Sequence, residues 1–130
     1  MTYLDSSVAL AHLVGETRVP PPSLWQDSLV SSRLLEYELW TRIHARQLTR
    51  THADEVRQLL ATVALIELSP LVLARAVDPF PVPVRTLDAL HLASMVYLRE
   101  RGEDLVLASY DDRMVRAARA LDFRVLDLTA

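Results

Sequence analysis

Short apolar runs along this chain alternate with stretches in which apolar residues recur at helical spacing. The apolar runs have the length of buried strands and lie at residues 2–4, 29–31, 63–68, 105–108 and 123–128. Because these runs are almost uniformly apolar, they favour strands of a parallel sheet that is covered on both faces. Helical patterns fill the intervals between them, so we expect an α/β fold with about five strands.

Residues that start or stop helices fix the expected boundaries. Ser6 and Ser7 are favourable N-caps for a first helix that Gly15 should end. A rigid loop should follow over residues 16–23, where three prolines are consecutive, with a turn or short helix at residues 24–28. A helix over residues 32–47 should form a hairpin with the next one. The later helices should be capped by Thr51, Ser69 and Thr86, and Gly102 should end the last of these.

Composition narrows the range of possible proteins. The 130 residues suit one domain, 1–130, and no apolar run approaches the ~20 residues of a membrane span. Without cysteine there are no thiolate metal sites, and a cytoplasmic location is expected. Two glycines and no lysine exclude Gly-rich phosphate loops and a P-loop lysine. The net charge of −3 means that any nucleic acid must be held locally, by arginines and bound cations, rather than by bulk charge.

Acidic residues stand where such a sheet would gather them. Asp5 follows the first strand and Asp111 the fourth; Asp88 begins a helix, and Glu38 lies about two turns into the helix after strand two. Sites in open α/β sheets form beyond the carboxyl ends of the strands, so all four could face one crevice. Each also has a plainer interpretation. Acids in a first helical turn are favoured by the helix dipole, and Glu38 could simply pair with Arg42.

Considered together, the four carboxylates predict a metal site. Clustered like charges raise each other's pKa unless a cation compensates them. Oxygen ligands without cysteine favour Mg²⁺, with Mn²⁺ as an alternative, over zinc. Such an ion could activate water and neutralise charge on a phosphate, so the residues predict hydrolysis of a phosphodiester backbone.

Four stretches of the chain resemble the PIN-domain family, and specifically its VapC-type toxins. They are Tyr3-Leu-Asp-Ser-Ser-Val-Ala-Leu10, Ser31-Ser-Arg-Leu-Leu-Glu-Tyr-Glu-Leu39, Arg85-Thr-Leu-Asp-Ala-Leu-His-Leu-Ala93 and Ala108-Ser-Tyr-Asp-Asp-Arg-Met114. The resemblance implies a three-layer α/β/α sandwich and a Mg²⁺-dependent endoribonuclease that cleaves tRNA or rRNA. It also implies a cognate VapB-type antitoxin whose tail blocks the acidic cleft, and commonly a homodimer.

By position, the family's acidic residues fall on Asp5, Glu38, Asp88 and Asp111, with Asp5 and Asp88 as the principal metal ligands. Glu36 competes with Glu38, which we choose for its spacing after the second strand. Ser6 and Ser109 stand where the family often has threonine, and their hydroxyls could orient a carboxylate or the attacking water. Asp112 could be a further ligand, but we expect it to cap a helix. The segment containing prolines 20–22 is shorter than is usual in the family.

Other polar and aromatic residues have open roles. His91 lies in an apolar helical pattern, so we expect it in the core or supporting a ligand. Trp25 and Trp40 could stack on bases, although packing in the core or against a partner is the expected role. The candidate phosphate contacts are Arg42, Arg46 and Arg113. Alternative functions are a DNA or flap nuclease that uses the same acids and a non-catalytic binding module; a set of unrelated surface acids is the plainest alternative.

Overall fold

Five parallel strands form the centre of the protein, for which a computed structural model describes residues 1–15 and 17–129. The strand order is β3-β2-β1-β4-β5. The strands are β1 (Thr2–Leu4), β2 (Leu29–Ser32), β3 (Val63–Ile66), β4 (Val106–Ala108) and β5 (Arg124–Val125). The predicted parallel sheet is confirmed. Chain connections leave the central strand β1 towards β2 on one side, while β4 lies on its other side, so a crevice is expected beyond the carboxyl ends of β1 and β4.

In the described part of the chain, six α-helices cover the sheet. They are α1 (Ser6–Val14), α2 (Leu34–Ala45), α3 (Thr49–Ala61), α4 (Pro70–Ala76), α5 (Thr86–Glu100) and α6 (Asp112–Ala120). A short 3₁₀ helix, Pro22–Gln26, begins at the last of the three prolines. Within the described ranges, no helix is both long and apolar enough to cross a bilayer.

The alternation of side chains along the strands divides the core into two. On one face, Leu4 packs in a cluster with Val8 of α1 and Leu35 of α2. On the other face, Tyr3 packs with Leu92 of α5 and with apolar residues of α6. Successive strand residues point to opposite faces, so helices are needed on both sides of the sheet. This arrangement confirms the expected three-layer α/β/α sandwich.

Helix α5 is enclosed more completely than the others. Residues 91–96 are all buried, because the helix lies between the sheet and the neighbouring helices α4 and α6. A helix that is buried around most of its circumference belongs to the interior of a fold. Its first turn, which carries Asp88, is therefore held firmly at the carboxyl edge of the sheet.

Several predicted boundaries need correction. The first helix has Asp5 as its N-cap instead of a serine, α3 begins at Thr49 instead of being capped by Thr51, and α5 is preceded by Arg85 instead of being capped by Thr86. Capping residues favour a helix start but do not fix it to the residue, because packing moves the first turn. The last strand spans only Arg124–Val125, because its partner β4 has only three residues.

Other predicted boundaries are confirmed. Gly15 ends α1 with a left-handed φ of 66°, which costs glycine little because it has no Cβ. Ser69 caps α4 by accepting a hydrogen bond from the N–H of Val72. Helices α2 and α3 pack against each other as the predicted hairpin. The expected loop over residues 16–23 includes Glu16, which lies outside the described residues.

Candidate active site

Asp5 leaves the central strand at its carboxyl end and is almost fully buried, with 6% of its surface exposed. Its N–H donates to the carbonyl of Ala108, which joins it to the end of β4. Two hydroxyls donate to its Oδ2, that of Ser7 at 2.6 Å and that of Ser109 at 2.8 Å. The carboxylate is thus held from two neighbouring strand ends. Oδ1 accepts no hydrogen bond from the described residues and can face a ligand.

The hydroxyl of Ser7 was not among the predicted site residues. We expected Ser7 only to cap a helix. Ser6, whose hydroxyl we expected to orient a carboxylate, does donate to Oε2 of Glu38 at 3.3 Å. Ser7 lies only two residues after Asp5, and this closeness along the chain is the one local signal that could have identified it. Ser109 does contact a carboxylate, as the sequence suggested.

Glu38 is held by a buried histidine from the other side of the sheet. Nε2 of His91 lies 2.5 Å from Oε1 of Glu38, and Nδ1 of His91 lies 2.8 Å from the hydroxyl of Tyr3. The side chains of His91 and Glu38 are only 2% and 16% exposed. The histidine therefore supports a candidate ligand, as expected, and the glutamate points inward instead of pairing along the helix surface. Glu36, the competing neighbour, forms an exposed ion pair with Arg33.

The charge environment of His91 follows from these contacts. Burial by itself lowers its pKa, but the hydrogen bond and the charge of Glu38 raise it by more, with further contributions from Asp5 and Asp88. The net pKa therefore lies above its usual range. When it is protonated, the imidazole balances part of the negative charge that the acids bring together.

Asp88 lies half-buried in the first turn of α5. Burial raises its pKa, and the negative charges of Asp111 and Asp5 raise it further, while His91 and Arg85 oppose the shift. The charges of Asp111 and Asp5 thus act on Asp88, and Asp5 and Asp111 are joined to each other by their shared hydrogen-bond partner Ser109. Glu38 joins the same neighbourhood through its hydrogen-bonded partner, His91, whose pKa responds to Asp5 and Asp88.

Asp111 begins α6 and also serves that helix structurally. Its Oδ1 accepts hydrogen bonds from the N–H groups of Arg113 at 3.0 Å and Met114 at 3.4 Å. Its own N–H donates to Ser109 at 3.0 Å, so it shares a partner with Asp5. The helix cap is therefore Asp111, and the expectation that Asp112 would be the cap is wrong. Asp112 occupies the exposed first helical turn, where the positive end of the helix dipole stabilises its carboxylate.

The four acids suit a hard cation but do not form a closed cage. Across residues 1–15 and 17–129, no three Asp, Glu or His side chains already converge as ligands of a single ion. Mg²⁺ is usually held by one or two carboxylates, with water and substrate oxygens completing its shell. The raised pKa of Asp88 is the observation that fits a cation, because a positive ion would relieve both the burial and the repulsion from Asp111 and Asp5. Both oxygens of Glu38 are engaged, which suits contact through water.

The arginines and tryptophans predicted as possible RNA contacts lie in different positions relative to the acids. Arg113 lines a cavity of about 440 Å³ that also contains Asp88. Arg42 and Arg46 lie on the C-terminal part of α2, with Arg46 at its C-cap, about 12 Å along the helix axis from Glu38. Trp25 and Trp40 both pack against the core cluster that contains Leu4, so packing is their structural role.

Comparison with known proteins extends over nearly the whole chain. A family model described as PIN domain matches residues 2–120, a span that includes all four acids. Ribonuclease VapC46 of Mycobacterium tuberculosis (strain ATCC 25618 / H37Rv) is 42% identical over 128 residues, which cover 95% of each protein. Ribonuclease VapC47 of Mycobacterium tuberculosis (strain CDC 1551 / Oshkosh) is 26% identical over 130 residues, covering 95% of this chain and 93% of that protein.

Proposed function

We propose that this chain, which belongs to the PIN domain family and is a VapC-type member of it, is an endoribonuclease toxin that cleaves RNA with a divalent metal ion. The observation that carries the proposal is the gathering of Asp5, Asp88 and Asp111 at the carboxyl edge of the sheet, where burial and the charges of Asp111 and Asp5 raise the pKa of Asp88. Relatives covering nearly the whole chain are named ribonucleases. A crevice of mutually repelling carboxylates suits metal-assisted hydrolysis of a phosphodiester.

The proposed cofactor is Mg²⁺, which Mn²⁺ could replace. Asp5 and Asp88 would hold it directly, while Glu38 and Asp111 would complete its shell directly or through water. When bound, such an ion supplies an activated water and neutralises charge on the phosphate. The absence of cysteine from the chain agrees with a hard, oxygen-coordinated ion.

The surrounding residues would keep the acids in productive positions. The hydroxyls of Ser7 and Ser109 orient Asp5, and His91 orients Glu38 from within the core. One of the carboxylates would receive the proton of the attacking water. Supports of this kind typically change metal affinity or activity by ~10–100-fold when they are removed.

The biological role follows from the VapC relationship. We propose that the protein acts in the cytoplasm as the toxin of a toxin–antitoxin pair, on tRNA or rRNA, and that it forms a homodimer. A VapB-type antitoxin would restrain it by covering the acidic cleft. If a small reading frame with a DNA-binding N-terminus lies beside its gene, co-expression of the two should relieve the toxicity and yield a stable complex; a neighbouring frame that neither binds nor protects would count against this role.

A cleavage assay tests the enzymatic proposal. Wild-type protein, Asp5→Asn and Asp88→Asn are incubated with a panel of RNAs in Mg²⁺, in Mn²⁺ and in EDTA. We expect metal-dependent internal cleavage by the wild type and a loss of about 100-fold or more in each variant. If the variants cleave as fast as the wild type, the acids are not the active site.

Matched DNA substrates in the same assay separate the main alternatives. Preferential cleavage of DNA or of flap structures would replace the ribonuclease proposal with a DNA nuclease that uses the same acids. No cleavage of either polymer, together with no stabilisation by metal ions, would favour a non-catalytic binding module.

A further inference from the structure

A cavity of about 440 Å³ opens beside Asp88 and has walls of two kinds. One wall is the apolar segment of residues 82–84, which leads into α5. The other is basic and consists of Arg85 with Arg113 and Arg116 of α6. The volume is within the roughly 300–1,000 Å³ range of ligand pockets. A residue with a candidate catalytic carboxylate, three arginines and an apolar segment thus line one recess.

The two arginines of α6 are placed to act together. They are three residues apart on the helix, so their side chains leave neighbouring positions, about 5–6 Å apart at Cβ. Both are exposed, and neither forms an ion pair with any residue that the structure describes. The N–H of Arg113 is fixed by Asp111, so the first turn of the helix is tied to the acid cluster.

This concentration of arginine contrasts with the charge of the protein as a whole. The net charge is −3, so a polyanion gains no general attraction and needs a local basic surface. Guanidinium groups suit that task because their planar donors match phosphate oxygens. Apolar residues in the same lining provide a surface against which a ribose or an unstacked base can pack.

We propose that this cavity is the subsite for the RNA strand next to the scissile bond, with Arg113 and Arg116 on backbone phosphates and residues 82–84 against a sugar or base. The proposal rests on the proposed ribonuclease function and adds the surface of the protein that holds the strand beside Asp88. The arginines and the apolar residues of one recess must contact phosphates and a base together. A base is free for such a contact only where the strand is unpaired, so the substrate is unpaired RNA at this position. Arg85 would partly offset Asp88 until the phosphate is bound.

The test compares Arg113→Gln/Arg116→Gln with a control of equal net charge, Arg50→Gln/Arg101→Gln. Arg50 belongs to α3 on the other face of the sheet, and Arg101 follows the far end of α5 from Asp88. Cleavage kinetics in Mg²⁺ are measured for each. Equilibrium binding to a fluorescein-labelled single-stranded RNA of mixed sequence, on the order of 12 nucleotides, is measured in Ca²⁺ at several salt concentrations.

We expect the cavity variant to raise KM and Kd about tenfold, from about threefold for each exposed ion pair lost. Its kcat should stay close to wild type, since backbone contacts of this kind hold ground state and transition state alike. The slope of log Kd against log salt should fall by about 1.4, which is ~0.7 for each single-strand phosphate contact. The control should match the wild type in all three quantities, and a double-stranded RNA of the same sequence should bind more weakly than the single strand.

Unchanged affinity and salt slope in the cavity variant would overturn the proposal and leave the arginines available for another polyanion, such as an acidic peptide. An equal loss in the control variant would also overturn it, because the effect would then be one of net charge. The proposed enzymatic function fails separately: in that case Asp88→Asn cleaves RNA as the wild type does, whatever the arginine variants bind.

Discussion

Glu38→Gln should destabilise the protein more at pH 6 than at pH 9, because the buried His91 loses its negative partner. The folded-state pKa of His91 lies above its reference value of 6.5, so the pair stabilises the fold fully below that pH. This contribution disappears as the pH rises through the folded pKa. In the variant, burial without the neighbouring charge disfavours the imidazolium in the folded state, and the loss is therefore greatest in mild acid.

The magnitude has two parts. The amide of Gln keeps an oxygen within reach of Nε2, so the change in the hydrogen bond itself is about 1 kcal/mol or less. Each unit by which the pKa of His91 differs between wild type and variant adds about 1.4 kcal/mol at low pH. Since the His91 side chain is only 2% exposed, water replaces little of the lost interaction. We expect a loss of roughly 1–3 kcal/mol at pH 6 and below about 1 kcal/mol at pH 9.

Urea unfolding at the two pH values, followed by circular dichroism, measures this difference. Glu36→Gln is the matched control, because that acid lies two residues away and pairs only with the exposed Arg33 among its described contacts. The control should stay within about 0.5 kcal/mol of the wild type at both pH values. An equal loss from Glu38→Gln at pH 6 and pH 9 would refute the assignment of a charged, buried pair.

Three further variants, with Asp112→Ala as the control for one of them, test other contacts of the site. Asp111→Ala should lower the melting temperature by roughly 4 °C, the effect of losing about 1 kcal/mol of helix capping, whereas Asp112→Ala should change it little; equal effects in scanning fluorimetry would contradict the assigned cap. Asp88→Asn should raise the melting temperature in metal-free buffer by about 3 °C at pH 8 and less at pH 4, because a raised carboxyl pKa means that ionisation opposes folding as pH rises; identical shifts at both pH values would count against this. Ser109→Ala should lower kcat/KM for RNA at least about tenfold because it removes a donor to Asp5, and full activity would show that the carboxylate is oriented without it.

The acids could be placed from sequence because their signals are local. Asp5 ends an apolar run, while Asp88 and Asp111 stand at helix starts, and a parallel sheet brings such positions to one edge. The four motif stretches also indicated the family, which the match over residues 2–120 confirms. The roles of Asp5, Glu38, Asp88 and Asp111 as metal ligands stay predictions.

The supporting contacts could not be predicted in the same way. Glu38 and His91 are 53 residues apart, and nothing in the local pattern of either helix indicates that they pair across the sheet. The backbone conformation at the end of β4 determines that the helix is capped by Asp111 and not by Asp112. Side-chain partners that depend on tertiary packing are fixed only when the layers of the fold pack together. The approximate positions of strand ends and helix starts, by contrast, are encoded in the local sequence.

The position of a bound ion tests the central claim most directly. Crystals of the protein soaked in Mn²⁺ and measured at the manganese absorption edge would locate it by anomalous scattering. We predict a peak within coordination distance of carboxylate oxygens of both Asp5 and Asp88, with Glu38 and Asp111 in contact directly or through water. A peak bound elsewhere, or no peak between Asp5 and Asp88 at saturating Mn²⁺, would contradict the account.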